Sequence, residues 1–105
     1  MKPKGRPQKL RFVQKMPKIT QFSPRGKPGR PEEIELTLDQ IEALKLADFS
    51  GLDQEKGAEI MGISRSSFGR ILREARKRSA DALANGKIIR ICGGHVALVN
   101  SSNQK

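Results

Sequence analysis

The residues with the clearest chemical purpose lie in one run, Ser64-Arg65-Ser66-Ser67-Phe68-Gly69-Arg70-Ile71-Leu72-Arg73-Glu74-Ala75-Arg76-Lys77-Arg78. Wound as a helix, Phe68, Ile71, Leu72 and Ala75 make one apolar stripe, and Ser66, Arg70, Arg73 and Lys77 line the opposite side with Gly69 between them. A guanidinium can hold guanine O6 and N7 with two hydrogen bonds, and a serine hydroxyl is a less selective reader. The first turns of a helix laid in the major groove are the part that meets base edges. The pattern therefore assigns Arg65, Ser66, Ser67, Arg70 and Arg73 to base edges. Ser64, Arg76, Lys77 and Arg78 fall to phosphates, which set register and salt-sensitive affinity rather than sequence choice. Gly69, outward on this side, would let the helix sit deep in the groove. Rows of Arg and Lys on a helix are usually only a solvated face, so the weight of this reading rests on what precedes the helix.

What precedes it is a second helix and a tight turn. Asp53 can cap a helix over Gln54–Met61, Gly62 can take the positive φ that stops it, and Ser64 can cap the next. Ala58 is small enough for close helix approach, Ile63 plugs the corner, and Phe68 and Ile71 face inward. Gly57 reads as the soft position: it costs about 1 kcal/mol against Ala if exposed, and a larger apolar residue would pack better there. The helix begun at Arg65 can continue to about Asn85, where Gly86 is a good stop; it would span roughly 31 Å, with room to bend or break.

The elements around this pair are also marked. Thr37 and Gln40 have capping-box spacing, and Leu36 and Ile41 have staple spacing. Leu38, Ile41, Leu44 and Ala47 continue a first helix to about Phe49. Residues 1–31 hold all six prolines with many Lys and Gly, which predicts an irregular basic arm in which Leu10–Val13 and Ile19–Phe22 could be extended. Lys87–Cys92 and His95–Val99 are β-rich runs with Gly93-Gly94 between them, a two-residue hairpin signal. An isolated hairpin is marginal in water, so it must pack on the helices, pair with the arm, or pair across a dimer. Residues 100–105 read as a frayed tail. The expected architecture is mainly α: arm 1–31, a three-helix helix-turn-helix domain 32–86, a β-hairpin 87–99, and a disordered tail 100–105.

Charge is segregated along the 105 residues. Residues 1–30 carry a net +10, residues 31–64 carry −7, and residues 65–105 carry +7, for +10 in all. Two cationic segments imply a polyanionic partner. Glu32, Glu33, Glu35, Asp39 and Glu42 flank or enter a helix N-terminus, where acids favour the dipole. Gly-Arg-Pro occurs twice, at residues 5–7 and 29–31, and resembles the core of an AT-hook. That marks Lys4, Arg6 and Arg30 for the minor groove, against the plainer reading of a tail that adds nonspecific affinity. No apolar run approaches a membrane span, and no apolar stretch follows the basic N-terminus, so a cytoplasmic location and no membrane contact are expected. With one Cys, Cys92, and one His, His95, two ligands are too few for a closed metal site. No nucleophile–base pair or phosphate-cradling loop stands out, and Glu55 and Glu59 read as a solvated pair; neither enzyme chemistry nor a cofactor is expected.

With these residues in hand, the chain resembles the UPF0251 (DUF134) family of bacterial and archaeal proteins. The resemblance is carried by Gly5-Arg6-Pro7, Leu36-Thr37-Leu38, Glu42 through Asp48, Gln54-Glu55, Met61 through Arg65, Phe68 through Leu72, Ala75-Arg76, Ala80 through Leu83, and Gly86-Lys87. It implies a DNA-binding protein. Some members carry additional Cys in the arm, and this chain has none there, so no metal site is carried over. The helical part also looks like region 4 of bacterial sigma factors, which reads promoter DNA with a similar pair of helices. The function expected is sequence-specific binding of double-stranded DNA and transcriptional regulation, with homodimerisation and a contact to RNA polymerase as further partners. The competing expectations are a protein-interaction module that docks through the acidic middle section, and RNA binding.

Overall fold

A computed structural model describes residues 10–26 and 29–99. It holds three α-helices and five short strands, so the architecture is mixed α and β rather than mainly α. In chain order the elements are β1 (Arg11–Val13), β2 (Gln21–Phe22), β3 (Glu33–Leu36), α1 (Leu38–Leu44), a π-helical turn (Lys45–Phe49), α2 (Gln54–Met61), α3 (Arg65–Asn85), β4 (Ile88–Ile91) and β5 (Val96–Leu98).

The helix ends follow local chemistry. The Thr37 N–H donates to Gln40 Oε1 at 3.0 Å, the return half of the capping box at the start of α1. Asp53 Oδ1 accepts from the Lys56 N–H at 2.8 Å at the start of α2, and Ser64 Oγ accepts from the Ser67 N–H at 3.1 Å at the start of α3. Gly62 (φ 72°) and Gly86 (φ 64°) close α2 and α3 in the left-handed region. The first helix reaches Phe49 as the spacing predicts, but its last turn widens, with the Ser50 N–H bonded to the Lys45 carbonyl at 2.8 Å. α3 runs unbroken over 21 residues.

Two apolar clusters hold these elements. Ala43, Leu46, Ala58, Met61, Phe68, Ile71 and Leu72 form the core of the three helices, with Ile63 against it. Leu36, Ala75 and Ile91, joined by Ile34, Ile41 and Ile89, seat β3 and β4 on α1 and α3. The staple residues of both predicted corners thus lie in or against these clusters.

The expected C-terminal hairpin does not form. β4 is the middle strand of a three-stranded sheet, antiparallel to β2 and parallel to β3, while β5 pairs in parallel with β1 in a separate two-stranded sheet. A strand has two edges, and both of β4's are taken, so β5 must find another partner. Gly93-Gly94, read as a hairpin loop, serves a different purpose. The Gly93 carbonyl accepts from the Leu38 N–H at 3.1 Å, one of the open donors at the start of α1. A Cβ on Gly94 would stand 2.9 Å from Asp39 Oδ1, so the backbone approaches that helix end closely. The arm contributes a strand from each of the two stretches read as extended, and β4 and β5 both pair with it. The predicted tail 100–105 lies outside the described residues.

Gly57 also departs from expectation. It is buried, and a Cβ there would lie 2.5 Å from Phe68 Cζ and 2.7 Å from Cε1. A larger residue has no room, because the ring of Phe68 occupies the space. Gly57→Ala gains up to about 1 kcal/mol in helix propensity but must overpack a fully buried ring, at about 1–3 kcal/mol. Urea denaturation is expected to show a lower midpoint for the variant; an equal or higher midpoint would refute this account of the α2–α3 contact.

Candidate functional site

α3 shows its two sides plainly. Phe68, Ile71, Leu72 and Ala75 are buried, and Arg65, Ser66, Arg70, Arg73, Arg76 and Lys77 are exposed. Ser67 and Arg78 are half-buried. At the N-terminal end three hydroxyls gather: Ser64 Oγ lies 3.0 Å from Ser67 Oγ and 3.3 Å from Ser66 Oγ, and Arg70 Nη2 donates to Ser67 Oγ at 3.3 Å. The base-edge candidates Arg65, Ser66, Ser67, Arg70 and Arg73 are therefore brought onto the first two and a half turns of one helix, with Ser64 at its cap. Ala58 is buried where α2 meets the core, and Gly62 and Ile63 form the corner.

The cations fall into two groups. One group is held by acids of the same chain. Asp48 takes Arg76 in a two-pronged contact, Nε to Oδ2 at 3.1 Å and Nη2 to Oδ1 at 2.7 Å. This bond holds the Asp48 carboxyl below its usual range and the Arg76 guanidinium above its own. Arg78 meets Glu74 at 2.9 Å and the Glu35 carbonyl at 3.3 Å. Arg90 grips both oxygens of Glu33 at 3.2 and 3.0 Å, and Lys87 reaches Asp81 at 3.0 Å and Glu32 at 3.3 Å. Hydrogen bonds from Arg90 lower Glu33, and those from Asn85 and then Lys87 lower Asp81. The second group, which makes no ion pair among the described residues, includes Arg65, Arg70, Arg73 and Lys77 of α3 along with Lys15, Lys18, Arg25 and Arg30 of the arm. Of the phosphate candidates, Arg76 and Arg78 are engaged by hydrogen-bonded acids, while Lys77 makes no ion pair among the described residues and acts on Asp81 only through space.

The arm is tied to the same helices. Arg11 faces Asp39 at 3.6 Å, and the backbone N–H of Gln14 donates to Glu42 Oε2 at 3.3 Å; both acids are buried. Phe12 covers the α2–α3 corner, since a Cβ on Gly62 would lie 2.8 Å from its ring. Local spacing carries no sign of this contact, which joins residues 50 apart in sequence. Arg30 is exposed, while Lys4 and Arg6 lie outside the described residues. Cys92 and His95 are both exposed, and among the described residues no group of three or more His, Cys, Asp or Glu could hold a metal. Among them, too, no helix is long and apolar enough to cross a membrane.

The model of a family described as "Protein of unknown function DUF134" matches residues 1–99. A UPF0251 protein of Thermoanaerobacter pseudethanolicus is 47% identical over 91 residues, covering 86% of this chain and 77% of the relative. One from Desulfosudis oleivorans is 52% identical over 91 residues, covering 86% of this chain and 66% of its own length. One from Methanococcus vannielii is 44% identical over 103 residues, covering 97% of this chain and 79% of its own length. No solved structure matches the chain.

The carboxyls of Asp48, Glu33 and Asp81 are all lowered in the fold, which fixes a sign for acid stability. Each contributes at neutral pH, and its contribution is lost as pH falls below the unfolded value of about 4 and through the lower folded one, because the unfolded chain takes up the proton first. Asp48→Asn is expected to lower the urea midpoint at pH 7 and to make little difference at pH 3. A gap that is as wide at pH 3 as at pH 7 would show that the Arg76 contact does not depend on the charge.

Proposed function

The chain belongs to the DUF134 family of UPF0251 proteins, and we propose that it is a double-stranded DNA-binding protein in which α2 and α3 act as a helix-turn-helix. α3 enters the major groove. The observation that carries the reading is the outward side of α3, where Arg65, Arg70, Arg73 and Lys77 have no ion-pair partner among the described residues, while Arg76, Lys87 and Arg90 are matched to acids of the chain itself. Net positive charge left on one helix face, with short hydroxyls in its first turn, matches the donors that base edges and phosphates accept. Arg65 and Arg70 read bases, Ser66 and Ser67 add less selective contacts, Arg73 reaches the edge of the site, and Lys77 binds phosphate. Arg76 joins the phosphate contacts only by leaving Asp48.

The acidic middle section supports this reading over a protein-docking module. Asp39 and Glu42 are buried against the arm, and Glu32, Glu33 and Asp48 face Lys87, Arg90 and Arg76. Glu35, Asp53, Glu55 and Glu59 stay exposed, so the acidic surface of this section open to a partner is confined to these four. The proposed activity is binding, with no chemical step, and a role in transcription follows from sequence-specific occupancy of DNA.

Selection of bound duplexes from a random library, repeated at two salt concentrations, is expected to return a preferred sequence under both. Arg70→Ala should weaken the preferred duplex by about 1–3 kcal/mol and random duplex much less, whereas Lys77→Ala should weaken both alike and reduce the salt slope by about 1. A library that shows no preferred sequence at either salt would refute the proposal.

A further inference from the structure

An apolar groove opens where the segment after β1 crosses α1, and none of its lining residues lies on α3. Met16, Ile19 and Phe22 of the arm and Ile41 of α1 form its walls, and it reaches down to Ile91 of β4. Its origin lies in the sheet. Phe22 pairs with Ile89, so it shares the face of the sheet that packs on the helices. β2 is the outer strand, however, and the helices do not cover it: Phe22 is 53% exposed and Ile19 60%. Apolar side chains grouped in water around a recess mark a binding site more often than scattered ones do.

The rim is cationic. Lys15, Lys18 and Lys45 line it, and Lys15 and Lys18 make no ion pair among the described residues. The carboxylate in the wall, Glu42, is 2% exposed and already bonded by the Gln14 N–H and by Lys45, each at 3.3 Å. An apolar trough under unmatched ammonium groups is complementary to a molecule with an apolar body and an anionic head. The groove measures about 500 Å³, inside the range of about 300–1,000 Å³ typical of small-molecule sites. A second copy of the chain would bring the same lysines against these. We infer that the groove binds a free single-chain amphiphile with a carboxylate or phosphate head, its chain along Ile19, Phe22 and Ile41 and its head at Lys15 and Lys18. This site is independent of the DNA reading.

Calorimetric titration of the full chain with decanoate, decanol and decyltrimethylammonium, each kept below its aggregation limit, tests the assignment. Decanoate is expected to bind one per chain, decanol about tenfold more weakly, and the cation not measurably. Lys15→Gln with Lys18→Gln should weaken decanoate about tenfold and leave decanol unchanged. Phe22→Ser, at an exposed position, should weaken both, and Arg70→Ala should weaken neither. Equal decanoate affinity in the parent and the double lysine variant would overturn the proposal. So would a concentration-dependent dimer in sedimentation that Phe22→Ser abolishes, which gives the groove to a second copy. Attachment to phosphatidylglycerol vesicles that is lost in Phe22→Ser would overturn it as well, by assigning the patch to a membrane surface.

Discussion

The molecule is organised around a missing methyl group. The ring of Phe68 lies where a side chain on Gly57 would begin, so α3 seats its ring directly against the backbone of α2. Phe68 is fully buried and touches no water, so it can rotate little without opening a void in the helical core. Because Phe68 is held, the rest of α3 is held in rotation as well: Ile71, Leu72 and Ala75 turn inward, and Arg70 and Arg73 turn out. Gly62 makes the corner behind this contact, with Phe12 of the arm packed over it. The direction in which the cationic stripe points is thus decided by a contact between two residues that carry no charge.

Much of this could be read from local spacing. The three N-caps, the stops at Gly62 and Gly86, and the two sides of α3 depend on residues within a turn or two of one another, where sequence distance and spatial distance agree. The misreadings all concern glycine or distance. A propensity scale counts what Gly57 loses as a helix former, and is blind to the ring standing opposite. Gly93-Gly94 reads as a turn because turns are the commonest use of such a pair, yet here it allows a close approach to the start of α1. No local pattern joins Phe12 to Gly62, Arg11 to Asp39 or Asp48 to Arg76, and the widened turn at Lys45–Phe49 has no marker of its own. Two of the arm candidates, Lys4 and Arg6, fall outside the described residues, so what could be read of the site stops at β1.

The charge pattern acquires a physical meaning only in three dimensions. Among the acids of residues 31–64, Asp39 meets a cation of the arm, Asp48 one of α3, Glu33 one of β4 and Glu32 the lysine just before β4. Exposed pairs of this kind contribute only about 0–1 kcal/mol each, so their main consequence is not rigidity. They leave positive charge unmatched on the Arg65, Arg70 and Arg73 side of α3 and beside Lys15 and Lys18. Asp39 and Glu42 differ, being buried; there the loss of one partner would strand a charge away from water. From Arg11 to Phe22 the arm is therefore part of the fold, through β1, Gln14 and β2.

The parallel pairing of β1 with β5 joins Arg11 to Val96, almost the full described length of the chain apart. During synthesis the helical trio can collapse while β1 waits, and its sheet closes only when Leu98 has left the ribosome. Such a closure over a long loop is slow relative to helix packing. The same adjacency brings the first and last of the described strands side by side, so whatever loosens Val96–Leu98 also frees the edge of Arg11–Val13.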